Sequence, residues 1–570
     1  MRKKPEFTRE WLDKLAGERY NNSLDYYGRT DLNWNMYKGN QWVGIHAGEL
    51  PKFVMNIYAA ATEFIIASIM SKPIRAEFAA DNIPKPADDD TSPQAESFRL
   101  IRKQIELLNR AARLKWEKEK MDFKLRMNCL LDAACSGDMC AHVYWDADAS
   151  TGQNETGDFH TEIVDGGNVF FGNPNIADVE SQPYIVVSGR ELVSKLRAEA
   201  RANGVGREDY ERILPDADTE YQIGEGKNEL EGGNEDSGKT TYVIKYRRDP
   251  DTGRIFWSKS TRDCLIRKDV DLGISRYPIA WGNWRRNKNS YHGIPIGNGL
   301  IDNQISINQL FAMVVYWAKL NAFGKVIIDE TRIQQWSNKI GEVIKAQGNV
   351  GDAVQQLAGG SFNTAMLTII DMAIKYTKEF VGANDAALGQ VNPELASGAA
   401  IMMTAKQASI PHANIESNLH QFIEDLYLIW GEFYLKKYSS RTLYFRGEEG
   451  IECGDYDASL LSDVLLSCEV NVGQSTLWSE SLRQQNLDNL LKGGYITPVQ
   501  YFERIKDESL LPDAQGLATD ARLKEMLQAQ GDKLIKQARS YLGEGPVQPD
   551  KALTNKPPAE AAPKIVPPLV

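Results

Sequence analysis

At 570 residues the chain is too long for one hydrophobic core and should divide into several lobes. Charged residues make up 25% and hydrophobic residues 42%, the balance of a folded soluble protein. The formal net charge of -12 excludes a protein whose main task is to grip nucleic acid, which needs a basic footprint. It leaves room for one that DNA passes without being held.

The first ten residues, Met1 to Glu10, carry charge with no apolar segment behind it, so no secretory leader is expected. The apolar stretches Phe53–Met70 and Leu310–Phe323 are interrupted or too short to span a bilayer, so no membrane partner is expected. Cys129, Cys135, Cys140, Cys264, Cys453 and Cys468 include no pair at two-residue spacing, which points to reduced core residues and assembly in a cytoplasm.

Residues 8–79 read as helix and short irregular pieces rich in aromatics, closed by the proline- and aspartate-rich loop at Pro84–Asp90. A helix follows with Phe98, Ile101, Ile105, Leu108, Ala112 and Trp116 on its apolar side and a mixed-charge solvated face opposite. From Ala141 the period becomes two. Strands are predicted at Ala141–Asp146, Phe159–Val164, Tyr184–Ser188, Thr241–Arg247 and Arg254–Trp257, with a helix at Arg190–Ala202. Residues 1–290 thus form an α+β lobe.

Gly233 to Thr240 matches the phosphate-loop pattern, which would make the chain a nucleotide-hydrolysing packaging enzyme. That chemistry needs a strand before the glycines and a helix after the lysine. Here a polar, glycine-rich run precedes and a strand-like alternation follows, so the match is read as fortuitous. No other catalytic or metal-binding pattern is present, and no enzyme activity, cofactor or metal is expected. Trp281–Lys288 joins aromatics to three cations. It reads as a contact for a neighbouring subunit, with stacking on nucleic acid the alternative.

Leu300–Ala322 reads as a helix, apolar nearly all round from Leu310 to Leu320 and so covered on more than one side. Thr364–Phe380 is a second helix. Between them runs an excursion with a strand at Lys325–Asp329, a helix at Arg332–Ile340 and extended pieces at Gly341–Lys345 and Ala353–Leu357. So small an insert cannot bury its own core, which favours sister copies packed around a common axis. The loop Gly382–Gly398 lies in a stretch, Lys378 to Lys406, with no lysine or arginine between its ends. Beyond it Ile401, Ala405, Ala408, His412, Ile415, Leu419, Phe422, Leu426, Ile429 and Phe433 make one stripe, so Ala399–Tyr438 reads as a single helix of roughly 60 Å. Pro411 should kink it, and His412 reads as a packing residue on that seam.

This order of elements resembles the portal proteins of tailed double-stranded-DNA bacteriophages, most tellingly over Tyr291–Asp329 and Ala383–Tyr438. The resemblance implies an α+β portal-type fold with wing, helical stem, small α/β clip and helical crown, assembled as a ring, dodecameric in that family. It implies a wing at 1–290, stem helices at 298–322 and 363–381, a clip at 323–362, a channel loop at 384–397 and a long kinked helix at 399–438. Strands at 439–480 (Leu443–Arg446 and Cys468–Val472) would return to the wing, 481–542 would form the crown, and 543–570 a disordered proline-rich tail. Asn384, Asp385, Gln390, Asn392 and Glu394 would line the channel. Arg332, Gln335, Lys339, Glu342 and Lys345 would present the clip to partners. The implied partners are further copies of the chain, the terminase large subunit, major capsid and scaffolding proteins, head-completion or tail-adaptor proteins, and double-stranded DNA in transit. The implied location is the portal vertex of the virion.

Overall fold

The structure, a computed structural model, describes residues 7–70, 74–84, 92–150, 156–216, 238–322, 325–333, 354–357, 364–380, 412–446, 451–462 and 464–472, with isolated positions such as Lys345, Leu487 and Tyr501. Residues 1–474 form one unit and 475–570 another. In the second unit the described side chains of Leu487 and Tyr501 are buried.

The first unit opens with α1 (Arg9–Ser23) and α2 (Tyr26–Lys38), which ends on Gly39 in the left-handed conformation that a helix terminus favours. The side chain of Asn56 caps α3 (Ile57–Ile69) by accepting from the Ala59 amide at 3.1 Å. After β1 (Ile74–Ala80) comes α4 (Pro93–Lys118), capped by Ser92 with a proline in its first turn. Its predicted apolar side is inward, with Ile105, Leu108, Ala112 and Trp116 buried. α5 (Met121–Phe123), a π-helical turn (Lys124–Leu130) and α6 (Leu131–Ser136) lead into β2 (Asp138–Ser150) and β3 (Thr156–Ile163). Then follow β4 (Val169–Phe171), β5 (Tyr184–Leu192), α7 (Val193–Ala202), α8 (Arg207–Tyr210), β6 (Lys239–Arg248), β7 (Ile255–Thr261), β8 (Leu265–Asp271) and β9 (Ile279–Asn283). The remaining elements are α9 (Ile301–Ala322), β10 (Lys325–Ile328), β11 (Val354–Leu357), α10 (Ala365–Phe380), α11 (Ala413–Lys437), β12 (Ser440–Arg446), β13 (Ile451–Asp457) and β14 (Leu466–Val472).

Two antiparallel sheets carry the mixed fold that the alternating patterns predict. One has the order β3-β2-β9, the other β4-β5-β6-β7-β8. The helix predicted at Arg190 begins instead at Val193. Arg190 to Leu192 extend β5 because they stay in register with Thr241 to Lys239 of β6, so the ladder holds them.

α11 is the centre of the core. Ile415, Leu419, Phe422, Leu426, Ile429 and Phe433, the predicted stripe, are all buried. Ile423, Tyr427, Trp430 and Tyr434 are buried as well, so the helix is wrapped on several sides. Each such side chain contributes about 1.5–3 kcal/mol by leaving water. One flank receives β9, and another receives the ribbon in which β14 pairs antiparallel with β1. Leu466–Val472 thereby lies beside Ile74–Ala80, far earlier in the chain.

Two polar devices fix these layers. Lys115 of α4 places its ammonium 2.8 Å from Asp158 and 3.3 Å from Glu119, and Tyr438, just past α11, donates to the same Asp158. At the edge of β1, Asn109 stands in for a missing strand. Its Oδ1 accepts from the Phe78 amide at 2.6 Å and its Nδ2 donates to the Phe78 carbonyl at 3.0 Å.

Candidate assembly surface

The root of α9 is locked by side-chain amides. Gln304 Oε1 accepts from the Tyr58 amide at 3.0 Å, and Asn308 Oδ1 accepts from the Met55 amide at 3.1 Å and from Gln304 Nε2 at 3.1 Å. Gln304 Nε2 also donates to the Met55 carbonyl, and Asn308 Nδ2 donates to Gln41. Gln304 and Asn308 are one helical turn apart, so both face the 41–58 segment at once. Above them Phe311 stacks on Phe53 with ring centroids 4.1 Å apart. Sequence reasoning missed this lock, although two amides at that spacing beside an apolar stripe were its signal.

Further along, α9 loses its cover. Met313 is 46% and Leu320 49% exposed, where the all-round apolar pattern predicts burial. α10 packs on α9 and α3, and its Ile370 and Thr377 are buried. Its far side turns Ile369, Met372 and Tyr376 outward, with Tyr376 63% exposed, and Leu367 is exposed as well. An apolar groove of about 310 Å³ runs between α3 and α10, lined by Ile57, Ala61, Phe64 and Ile374. His412 packs at 6.2 Å against the same Phe64, the packing role predicted for it, and burial pushes its imidazole below the usual range.

β10 and β11 pair antiparallel, so the two ends of the predicted excursion do meet, with Ile327 51% exposed. Arg332 follows them, its guanidinium 3.4 Å from Asp329, and Lys345 is exposed. Gln335, Lys339, Glu342, the proposed channel residues Asn384, Asp385, Gln390, Asn392 and Glu394, the kink at Pro411, and most of 481–570 lie outside the described residues.

The other sequence features are resolved by burial. In Trp281–Lys288, Trp284 is fully buried and Trp281 donates to the Tyr291 carbonyl at 3.1 Å, so neither ring can stack on a base. Arg285, Arg286 and Lys288 remain exposed. In the phosphate-loop match, Lys239 opens β6 opposite Leu192, and Thr240 is buried beside Asp216. A strand stands where nucleotide binding requires a helix N-terminus. Cys129, Cys135, Cys140, Cys264 and Cys468 are buried free thiols, whereas Cys453 on the outer strand β13 is exposed, contrary to the core reading. Among the described residues no helix is long and apolar enough to cross a membrane, and no group of side chains has the makings of a metal site.

The profile of the phage P22-like portal protein family matches residues 146–446, from β2 through β12 and more than half of the chain. The chain belongs to that family. It is thereby a structural head–tail connector component of a bacteriophage that serves DNA packaging, as the order of elements had implied. No curated protein matches the chain.

Proposed function

We propose that copies of this chain close into a ring of twelve that forms a DNA conduit at one capsid vertex. The observation that carries the reading is the uncovered apolar face of α9 and α10, where Met313, Leu320, Leu367, Ile369, Met372 and Tyr376 meet solvent in the single chain. Exposed apolar side chains gathered on two neighbouring helices mark a docking site. In the ring the neighbour's α9 and α10 cover it. These helices are then the stem, residues 1–290 and 439–480 the wing, 323–362 the clip, 399–438 the long helix and 481–542 the crown.

In this reading the loop at 384–397 faces the channel. Duplex DNA carries one negative charge per roughly 1.7 Å of axis, so a lysine-lined pore would hold it through many contacts acting together. Asp385 and Glu394, repeated around the ring, repel it instead and let it slide. Force comes from outside the chain, since Lys239 and Thr240 of the phosphate-loop match open a strand. A terminase motor docks at the clip, through Arg332, Gln335, Lys339, Glu342 and Lys345, during packaging. Head-completion or tail-adaptor proteins take the same surface afterwards, and DNA leaves through the channel on ejection. Capsid and scaffolding proteins hold the ring in the virion.

Negative-stain images and mass photometry of the purified chain test the reading. Annuli with a central hole are expected. A stable monomer at high concentration would refute it.

A further inference from the structure

Charge is segregated along this chain. From Met127 to Gly189 there is no lysine or arginine, and from Leu272 to Ile301 there is no aspartate or glutamate. The β3-β2-β9 sheet carries these two stretches to its opposite ends. β9 runs antiparallel to the first half of β2, with Asn283 opposite Asp138, so the loop that leaves β9 sits where β2 begins. The β2–β3 hairpin sits at the other end, where Ser150 pairs with Thr156. Thirteen residues of β2 at about 3.3 Å each set the two ends about 40 Å apart.

Each end is built to present its charge. Arg285, Arg286 and Lys288 are exposed, and none of them has an ion-pair partner among the described residues. Their loop is pinned rather than loose. The Trp284 amide donates to the Gly137 carbonyl at 2.8 Å, the Ile294 amide donates to the Arg285 carbonyl at 2.8 Å, and Trp284 is fully buried beneath. Along the outer half of β2, Tyr144 is 40% exposed and shares a strand face with the half-buried Asp146, while Asp148 is exposed nearer the hairpin end. A phenol ring beside carboxylates is a surface that guanidinium groups recognise by stacking and pairing together. Lys195, which lies near Tyr144, is already held by Glu191 at 2.6 Å.

The two charge groups cannot neutralise each other within one chain, because Asp146 and Asp148 stand about 26–33 Å along β2 from Asp138, still a few screening lengths at ordinary salt. They can meet only between copies. A basic patch at one end and an acidic patch at the other make a head-to-tail contact, the kind that generates closed rings. We propose that the Arg285–Lys288 loop of one copy docks on the β2–β3 hairpin of the next. This rests on the ring reading and assigns one of its interfaces. The buried tryptophans favour this occupant over nucleic acid, since the loop keeps its charges but offers no base a stacking ring.

The test uses full-length chains in mass photometry across a salt series. One variant carries Arg285→Glu, Arg286→Glu and Lys288→Glu, and the other Asp146→Lys and Asp148→Lys. Arg285, Arg286, Lys288 and Asp148 are exposed and Asp146 is half-buried, its Oδ1 accepting from the Asp148 amide at 3.0 Å, so melting temperatures close to wild type are expected. Each variant alone should need at least roughly tenfold more chain to close rings, with the salt dependence of assembly lost or inverted. Mixed one to one, they should assemble again, because every alternating contact then pairs opposite charges. Wild-type-like assembly of either variant, or no recovery on mixing, would overturn the docking while leaving the ring intact. A loop variant that still assembles but retains less duplex DNA would assign the loop to nucleic acid. If the wild-type chain itself makes no ring, the fault lies in the ring reading, and the docking falls with it.

Discussion

Asp138 and His292 face each other at 2.6 Å in a place almost closed to solvent, the carboxylate wholly buried and the imidazole 3% exposed. The same carboxylate accepts from the Tyr26 hydroxyl at 2.9 Å, from Asn283 Nδ2 at 3.0 Å and from the Gly293 amide at 2.8 Å. His292 Nε2 meets Asn21 Oδ1 at 2.8 Å. One acidic group thus ties α1, α2, the start of β2 and the loop after β9 together. Asp138→Ala strands four donors without water, and the expected loss is about 3–5 kcal/mol. Asp138→Asn keeps one acceptor oxygen and should lose less. Urea midpoints at constant m-value check the ranking.

His142 makes the fold sensitive to mild acid. It is buried, shares a hydrogen bond of 2.7 Å with the Tyr246 hydroxyl, and burial pushes its pKa down from 6.5 to about 4. Below pH 6.5 the unfolded chain takes up a proton that the folded chain refuses until about pH 4. Stability is therefore full above 6.5 and falls as the pH drops through that window, by about 3 kcal/mol in all. Asp425, pushed up to about 6 by burial, acts in the opposite sense over an overlapping range. Comparison with His142→Gln isolates the histidine. The variant's unfolding free energy should lose less between pH 7 and pH 4, and parallel curves would refute the assignment.

Gly137 and Gly293 exist for each other. Gly137 has φ 99°, and a Cβ there would come within 2.6 Å of the Gly293 carbonyl oxygen, while a Cβ on Gly293 would come within 2.3 Å of the Gly137 oxygen. Gly137→Ala should cost roughly 2–4 kcal/mol through backbone strain and overlap. Gly204, at φ 78° with open space around it, is the control. Gly204→Ala meets strain alone, about 1–2 kcal/mol. Thermal unfolding of both variants gives the difference.

If Asp385 and Glu394 face the conduit, Asp385→Lys combined with Glu394→Lys turns a repelling girdle into one that binds phosphate. Packaging should slow, or stall at low salt, and recover as salt screens the contacts. Rates unchanged at every salt concentration would remove these residues from the channel lining.

Periodicity made most of this architecture legible. The helical stripe through Ile415 to Phe433 and the alternation at Ala141–Asp146 and Thr241–Arg247 carry their burial in the sequence, because every turn or pleat repeats the same choice. β1, β4, β8, β9 and β13 were not foreseen. Val169–Phe171 is too short to show a period, and β9, Ile279–Asn283, is covered on both faces and so does not alternate. The exposed side of α9 was misjudged in the single chain for a related reason. An apolar residue reads the same whether its cover comes from its own chain or another. The Asp138 network was invisible because Asn21, Tyr26, Asp138, Asn283 and His292 are brought together only by tertiary structure.

A strand end left bare is an invitation to any extended peptide, and proteins that gather in many copies meet that hazard at its worst. By occupying both backbone groups of Phe78, Asn109 denies such a peptide its foothold at the middle of β1. A chain built to join its sisters in one arrangement is in this way kept from joining them in another, as fibre.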